Sequence, residues 1–218
     1  MSRLLIIGAG GFGRETAELA RLLPTWELMG FLDDDLRLAG AVVADLPVLG
    51  PVELARDLPD IALVITAGHP GNYFQRKRIV IRLGLADERY ATLIHPTAVI
   101  AGSCQVGVGS ILHAGVVLTT NVKVGRHVAM MPGVVLTHDN VVGDFVTFGA
   151  GARLAGRVTI SEGAYVGSGA SVRQDRIVGA WSLVGMGAVV LHDVPPGEIW
   201  AGVPASIVRS APAPWDLQ

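Results

Sequence analysis

With 218 residues and a formal charge of −2, the chain has room for one large domain or two small ones. It carries no basic excess that would draw it to nucleic acid or an anionic membrane surface. Its one cysteine, Cys104, excludes an internal disulfide framework and a cysteine-based zinc site and suits a reducing compartment.

Mean hydropathy is high at +0.49, yet no apolar run reaches the roughly 18–20 residues of a membrane span. The opening MSRLLIIGAGGFG passes from a short apolar run straight into a glycine turn, which is not the layout of a signal peptide. The expected compartment is the cytoplasm.

Residues 1–93 alternate strand-like with helix-like stretches. Leu4–Ile7 reads as a buried strand, followed by the turn Gly8-Ala-Gly10-Gly11-Phe12-Gly13 and an amphipathic helix to about Leu23. Leu28–Leu32 is a second strand that ends in Asp33-Asp34-Asp35, Val52–Leu58 a helix, and Ile61–Ala67 a third strand stopping at Gly68-His69-Pro70. A further helix is expected over Asn72–Leu83. Strand alternating with helix argues a small parallel sheet covered on both faces. Gly8-x-Gly10-x-x-Gly13 between strand and helix, with Asp33 twenty residues later, is the pattern that cradles a phosphate. Alone it suggests a dinucleotide, but the unit is about half the size of a complete dinucleotide fold.

From 94 to 193 the periodicity changes. Stepping by six from Ile94 to Val190 meets seventeen positions, all apolar. Four residues after each stands a small residue or valine, except at Asn140 and Arg176. Glycine recurs just after the stepped position, as at Gly107, Gly125 and Gly167, where it would let a tight corner take positive φ. A period of six is neither 2 nor 3.6; it is the hexapeptide signature of a parallel β-helix. Three short strands per coil make a triangular prism of about eighteen residues per coil, with the stepped aliphatics stacked inside. Phe145, Val108 and Val117 fall at outward phases, so flat apolar faces that pair with other subunits are expected. Residues 194–218 leave the repeat as a C-terminal extension.

The repeat, the opening GAGGFGRE and the ending Ala201-Gly-Val-Pro-Ala205 together resemble the hexapeptide-repeat acyltransferases of nucleotide-activated amino sugars and sialic acids. The resemblance implies a left-handed β-helix, a homotrimer with active sites between subunits, and acetyl-CoA as cosubstrate in the cleft between prisms. It implies His138 as general base, since an amine or hydroxyl attacking a thioester must lose a proton near neutral pH. Asp139 would orient the ring. Gly156, one coil above His138, would offer a backbone N–H to the thioester oxygen, while Gly167-Ser168 and Gly185-Met186 would line the CoA path, with Arg173 or Arg209 near its phosphates. Gly8, Gly10, Gly11, Phe12, Gly13, Asp33, Asp34, Gly68 and His69 would hold the nucleotide-linked sugar, with Asn72 and Arg76 as lesser candidates.

Two positions depart from the family pattern. Phe12 stands where many relatives have histidine, and Met131 where many have asparagine. The acceptor therefore stays open between the amino group of a nucleotide-linked deoxyamino sugar and a sugar hydroxyl of the sialic acid type; a non-catalytic nucleotide-sugar-binding scaffold is the reading from another class. A metal is not expected: His95 and His113 stack one coil apart, but the third place in that column is Met131.

Overall fold

The structure is a computed structural model and describes residues 1–212. Of the extension expected over 194–218, residues 213–218 lie outside the described residues.

The N-terminal part is a five-stranded sheet in the order β3-β4-β2-β1-β5, with β1 at Ser2–Ile7, β2 at Trp26–Leu32, β3 at Val42–Val43, β4 at Leu46–Gly50 and β5 at Ala62–Ile65. β4, β2, β1 and β5 run parallel; β3 pairs antiparallel with β4. Helix α1, Gly11–Arg21, stops short of Leu23 because that residue precedes Pro24 and is pushed away from helical ψ. Helix α2 occupies Gln75–Leu83, and Pro70-Gly71 upstream delays its start from the expected Asn72. Val52–Leu58 forms only a 3₁₀ turn, Val52–Arg56, held between Pro51 and Pro59. The β3–β4 hairpin is absent from the sequence reading. Its two-residue turn, Ala44-Asp45, takes positive φ at both positions, a geometry that asparagine and glycine usually announce.

From Leu93 onward the chain winds as the left-handed β-helix. Its first face stacks Leu93–Ile94, Ile111–Leu112, Ala129–Met130, Thr147–Phe148, Tyr165–Val166 and Leu183–Val184. The second face runs from Val99–Ile100 to Val189–Val190 and the third from Gln105–Val106 to Ile177–Val178. Each strand pairs in parallel with the strand eighteen residues on, as Val117 with Val135. Of the seventeen stepped aliphatics, the fourteen from Leu112 to Val190 are buried in one continuous core. The first three pack partly buried against it. A hairpin, Glu198–Ala201 and Ser206–Ser210, extends the first face beyond the last coil, within the stretch that the sequence marks only as a C-terminal extension.

Two expectations about the repeat need correction. The left-handed corner lies three residues after the core aliphatic, at every step from Gly109 to Gly187, and not at the glycine just after it. Those nearer glycines answer a different constraint: a Cβ added at Gly167 would lie 2.6 Å from the Met186 nitrogen of the next coil. They are small because coils stack at about 4.8 Å, so close approach and not torsion selects them. Secondly, Phe145 and Val108 do not face an empty flank. Phe145 packs with Tyr73, Phe74 and Trp181, and Val108 joins the β1–β5 core, so the N-terminal unit itself covers this edge.

Two histidines are enclosed in that packing. His127 stacks on Phe145 at 5.2 Å and meets Tyr90 edge-on, with no partner for either ring nitrogen. His113 lies under Phe12 at 5.8 Å, its Nε2 likewise unpartnered. Burial, assisted by Arg76 for His127 and His95 for His113, pushes both down to about 4. Both rings are therefore neutral when folded, and the unfolded chain takes up protons below about pH 6.5 that the folded rings refuse. Stability is on its plateau above pH 6.5 and is expected to fall toward pH 4, by on the order of 2 kcal/mol per ring. Urea midpoints across that range check this. His127→Phe should remove about half of the loss, and a flat profile in the native chain would refute the account.

Candidate active site

The α/β unit and the prism enclose one large crevice of about 610 Å³. From the α/β side it is lined by Gly8, Gly10, Gly11 and Phe12, by Thr66 to His69, and by Asn72 and Gln75. From the prism it is lined by Met131, Thr147, Gly149, Ala150, Tyr165 and Ser168. The crevice opens at the carboxyl ends of β1 and β5, where strand order reverses, the position at which open parallel sheets gather ligands.

The glycine turn is built for close approach. A Cβ on Gly13 would overlap the Gly8 carbonyl oxygen, so this residue sets helix–strand packing. Gly10 differs, because a Cβ there would meet nothing within 4 Å. Its bare backbone faces the crevice, and helix α1 starts there without a side-chain cap. Uncapped N–H groups at a helix start are an anion site in waiting. Thr66, which the sequence reading passes over, fixes the turn through its hydroxyl, donating to the Ile7 and Gly8 carbonyls at 2.8 and 3.0 Å.

Asp33 and Asp34 do not line this crevice. They border a smaller recess of about 170 Å³ beside it, with Gln75 and Ile79. Asp33 accepts from the Ala9 N–H at 2.7 Å and the Asp35 N–H at 2.9 Å; Asp34 accepts from the Val52 N–H at 3.0 Å and from Arg82 at 2.6 Å. Both carboxylates clamp the turn and sheet edge. Gly68 and His69 do lie in the crevice, and His69 accepts the Gly71 N–H at 3.0 Å.

His138 and Asp139 stand on another edge of the prism, between the second and third faces, and reach no part of the crevice lining. His138 Nδ1 is 2.8 Å from Asp139 Oδ2, and the two side chains are 47% and 44% exposed. The other Asp139 oxygen accepts from Asn121 Nδ2 at 2.7 Å, one coil below. The bonds from Asn121 and His138 hold the Asp139 carboxyl below its ordinary value. An ionised Asp139 only accepts, so Nδ1 carries the proton and Nε2 presents its lone pair outward. Asp139 reaches this geometry from a left-handed backbone, φ 59°, which asparagine and aspartate tolerate. Behind them Asn140, fully buried at an inward position, accepts the Val158 N–H at 2.9 Å and donates to the Thr137 carbonyl at 2.8 Å. A buried amide so satisfied braces the corner without the desolvation cost of an orphan.

Gly156 does not serve as a left-handed corner residue. A Cβ there would overlap His138 Nε2, so the missing side chain is what leaves room for the ring. Its N–H has no hydrogen-bond partner among the described residues. Gly167 and Ser168 lie on the first–second edge, where Ser168 reaches the crevice; Gly185 and Met186 follow one coil beyond, with Met186 79% exposed. Arg173 stands on the His138 edge, and Arg209 on the terminal hairpin. The predicted residues therefore divide between two edges of one chain. Phe12 and Met131, the two departures from the family pattern, meet in the crevice.

Among the described residues no three His, Cys, Asp or Glu side chains gather as a metal site, and no helix is long and apolar enough to cross a membrane. The family model described as the PglD N-terminal domain matches residues 3–83. A UDP-N-acetylbacillosamine N-acetyltransferase of Bacillus subtilis is 36% identical over 113 residues, 51% of each protein. The matched segment thus spans about half the length of that curated relative. The solved acetyltransferase domain of PglB from Neisseria gonorrhoeae superposes with a TM-score of 0.86 at 32% identity, over 95% of this chain and 100% of that one. PerB from Caulobacter crescentus, solved in complex with CoA and GDP-perosamine, gives 0.85 at 28% identity, over 95% and 98%. With the prism these matches define an acyltransferase of the left-handed β-helix class. Within that class the chain belongs to the hexapeptide-repeat sugar N-acetyltransferases.

Proposed function

We propose that the protein transfers acetyl from acetyl-CoA to the amino group of a nucleotide-linked deoxyamino sugar, with His138 as general base. The amine nitrogen attacks the thioester carbonyl while His138 Nε2 takes its proton. The tetrahedral oxyanion is met by the Gly156 N–H, and collapse expels the CoA thiolate, which recovers the proton. The single observation that carries this reading is the Asn121–Asp139–His138 chain, which leaves Nε2 free beside an unpartnered backbone N–H. Direct attack is favoured because Cys104, the one thiol, is turned toward the prism core and bonds the Leu118 carbonyl.

In this reading the nucleotide-linked sugar enters the crevice, with the glycine turn at Gly8, Gly10 and Gly11 facing its phosphates and Gly13 packing the helix behind it. The pantetheine arm follows the glycine-rich first–second edge at Gly167, Ser168, Gly185 and Met186. His138 comes from the second–third edge of a neighbouring copy, so the working unit is a homotrimer with its sites between subunits. What supports this is that one chain holds His138 and the crevice on different edges. A cytoplasmic placement accords with the single cysteine.

A second acceptor is kept for one observation. Phe12 and Met131, the two positions at which the sequence departs from the pattern its resemblance implies, give the crevice an apolar wall. That wall favours a hydroxyl acceptor of the sialic acid type.

The test follows thiol release from acetyl-CoA with UDP-, GDP- and dTDP-linked 4-amino and 3-amino sugars and with free sialic acid. Release with an amino sugar is the expected result. Release with sialic acid alone moves the reading to O-acetylation, and release with none of them, at confirmed CoA binding, overturns it.

A further inference from the structure

Among the described residues, no Asp, Glu, Lys or Arg lines the crevice. Directly behind its wall, however, lies a full positive charge. Arg76 of α2 is 1% exposed and has no carboxylate partner among the described residues. Its Nη1 donates to the Ala67 carbonyl at 2.8 Å; its Nη2 faces the Phe145 carbonyl at 3.0 Å and Thr147 Oγ1 at 2.7 Å, and Nε meets no acceptor. Burial lowers the guanidinium only to about 10, so it is charged at neutral pH. The carbonyl bonds fasten the α/β unit to the prism, but fastening alone gives no reason for an uncompensated buried cation, which is costly.

Thr147 supplies the reason. Its Oγ1 already accepts from Arg76, so its own O–H must point elsewhere, and no acceptor for it exists among the described residues. The side chain borders the crevice. Above it sits Gly68, where an added Cβ would lie 3.1 Å from Arg76 Nη1 and 3.6 Å from Thr147 Oγ1. Only glycine leaves the pair uncovered.

We infer that Arg76 and Thr147 form a donor-only subsite in the crevice for a negatively charged oxygen of the ligand. Thr147 makes the contact, and Arg76, acting through it, is the positioning charge that strengthens the bond. Asp33 and Asp34 face the adjoining recess and are each already bonded within the α/β unit. The inference rests on the reading of the crevice as the acceptor's binding place. The oxygen belongs either to the phosphates of a nucleotide-linked sugar or to the carboxylate of an acidic sugar.

Calorimetric titration of the full chain with UDP, GDP and dTDP, and with N-acetylneuraminate and its neutral methyl ester, tests the subsite. In Thr147→Val, whichever anion uses the subsite should bind about ten- to a hundredfold more weakly. Thr147→Ser should restore it, and the neutral ester should bind both forms alike. Loss confined to the nucleotides assigns a phosphate; loss confined to N-acetylneuraminate assigns a carboxylate. Gly68→Ala, which covers the pair but keeps the Thr147–Arg76 bond, should weaken the same anion even if Thr147→Val folds poorly. Equal affinities across native chain and variants, equal weakening of anion and ester, or no anion binding by the native chain would each overturn the inference. Thiol release with an unchanged KM in Thr147→Val would remove the subsite and leave the acyl-transfer reading standing.

Discussion

Replacing His138 by alanine should lower kcat by about 10²–10⁴-fold while the protein melts where the native chain does. The size of the effect is that of a general base removed from a proton transfer. Stability is spared because the ring is about half exposed and its one hydrogen bond is to a half-exposed carboxylate. CoA affinity should also hold, since the ring contributes no charge to a phosphate site. The profile that sinks the proposed chemistry is therefore sharp: native turnover in His138→Ala, with acetyl-CoA and acceptor saturating. A fall in turnover matched by a fall in melting temperature would instead mean that the corner had collapsed.

Gly156→Ala is the second large effect, and it arises from one methyl group. The new Cβ would occupy the place of His138 Nε2, and the backbone that carries it is locked between coils, with Arg157 N–H on the His138 carbonyl at 2.9 Å and Asp175 N–H on the Gly156 carbonyl at 3.1 Å. The coil cannot yield, so the exposed ring must swing away and lose its bond to Asp139. Misplacing a catalytic group by about 1 Å costs on the order of 10²-fold. The expected signature is a kcat loss of that order, with KM for acetyl-CoA little changed. Alanine tolerated at full activity would show that the ring works from another position.

The prism was legible because one rule, an aliphatic every sixth residue, holds across seventeen positions, and the structure buries or half-buries every one of them. The site was legible in part. His138 and Asp139 are found hydrogen-bonded, but Asn121, their third member, could have been reached only by counting eighteen residues back from Asp139. The eighteen-residue spacing puts Gly156 one coil above His138, though the contact with the ring that demands glycine is invisible in sequence. The covering of Phe145 and Val108 by the N-terminal unit escaped because periodicity reports which way a side chain points and says nothing about what lies opposite. Asp33 and Asp34 fell at the strand end as expected, yet their bonds to the Ala9 and Val52 N–H groups turn them toward a neighbouring recess. The β3–β4 hairpin was missed because Ala44-Asp45 is an unusual pair for its turn.

The eighteen-residue pairing also means that this fold keeps address in two coordinates, height along the prism and angle around it. Removing six residues between His138 and Gly156 would preserve every aliphatic step, and the core would still close. Everything beyond the cut, though, would turn by a third of a revolution, carrying the small residue away from the imidazole and Ser168 away from the crevice. Such a lesion would spare the aliphatic ladder but break the docking of Trp181 on Tyr73 and Phe74 together with the site, whereas removing eighteen would shorten the prism by one storey and leave all later angles as they were.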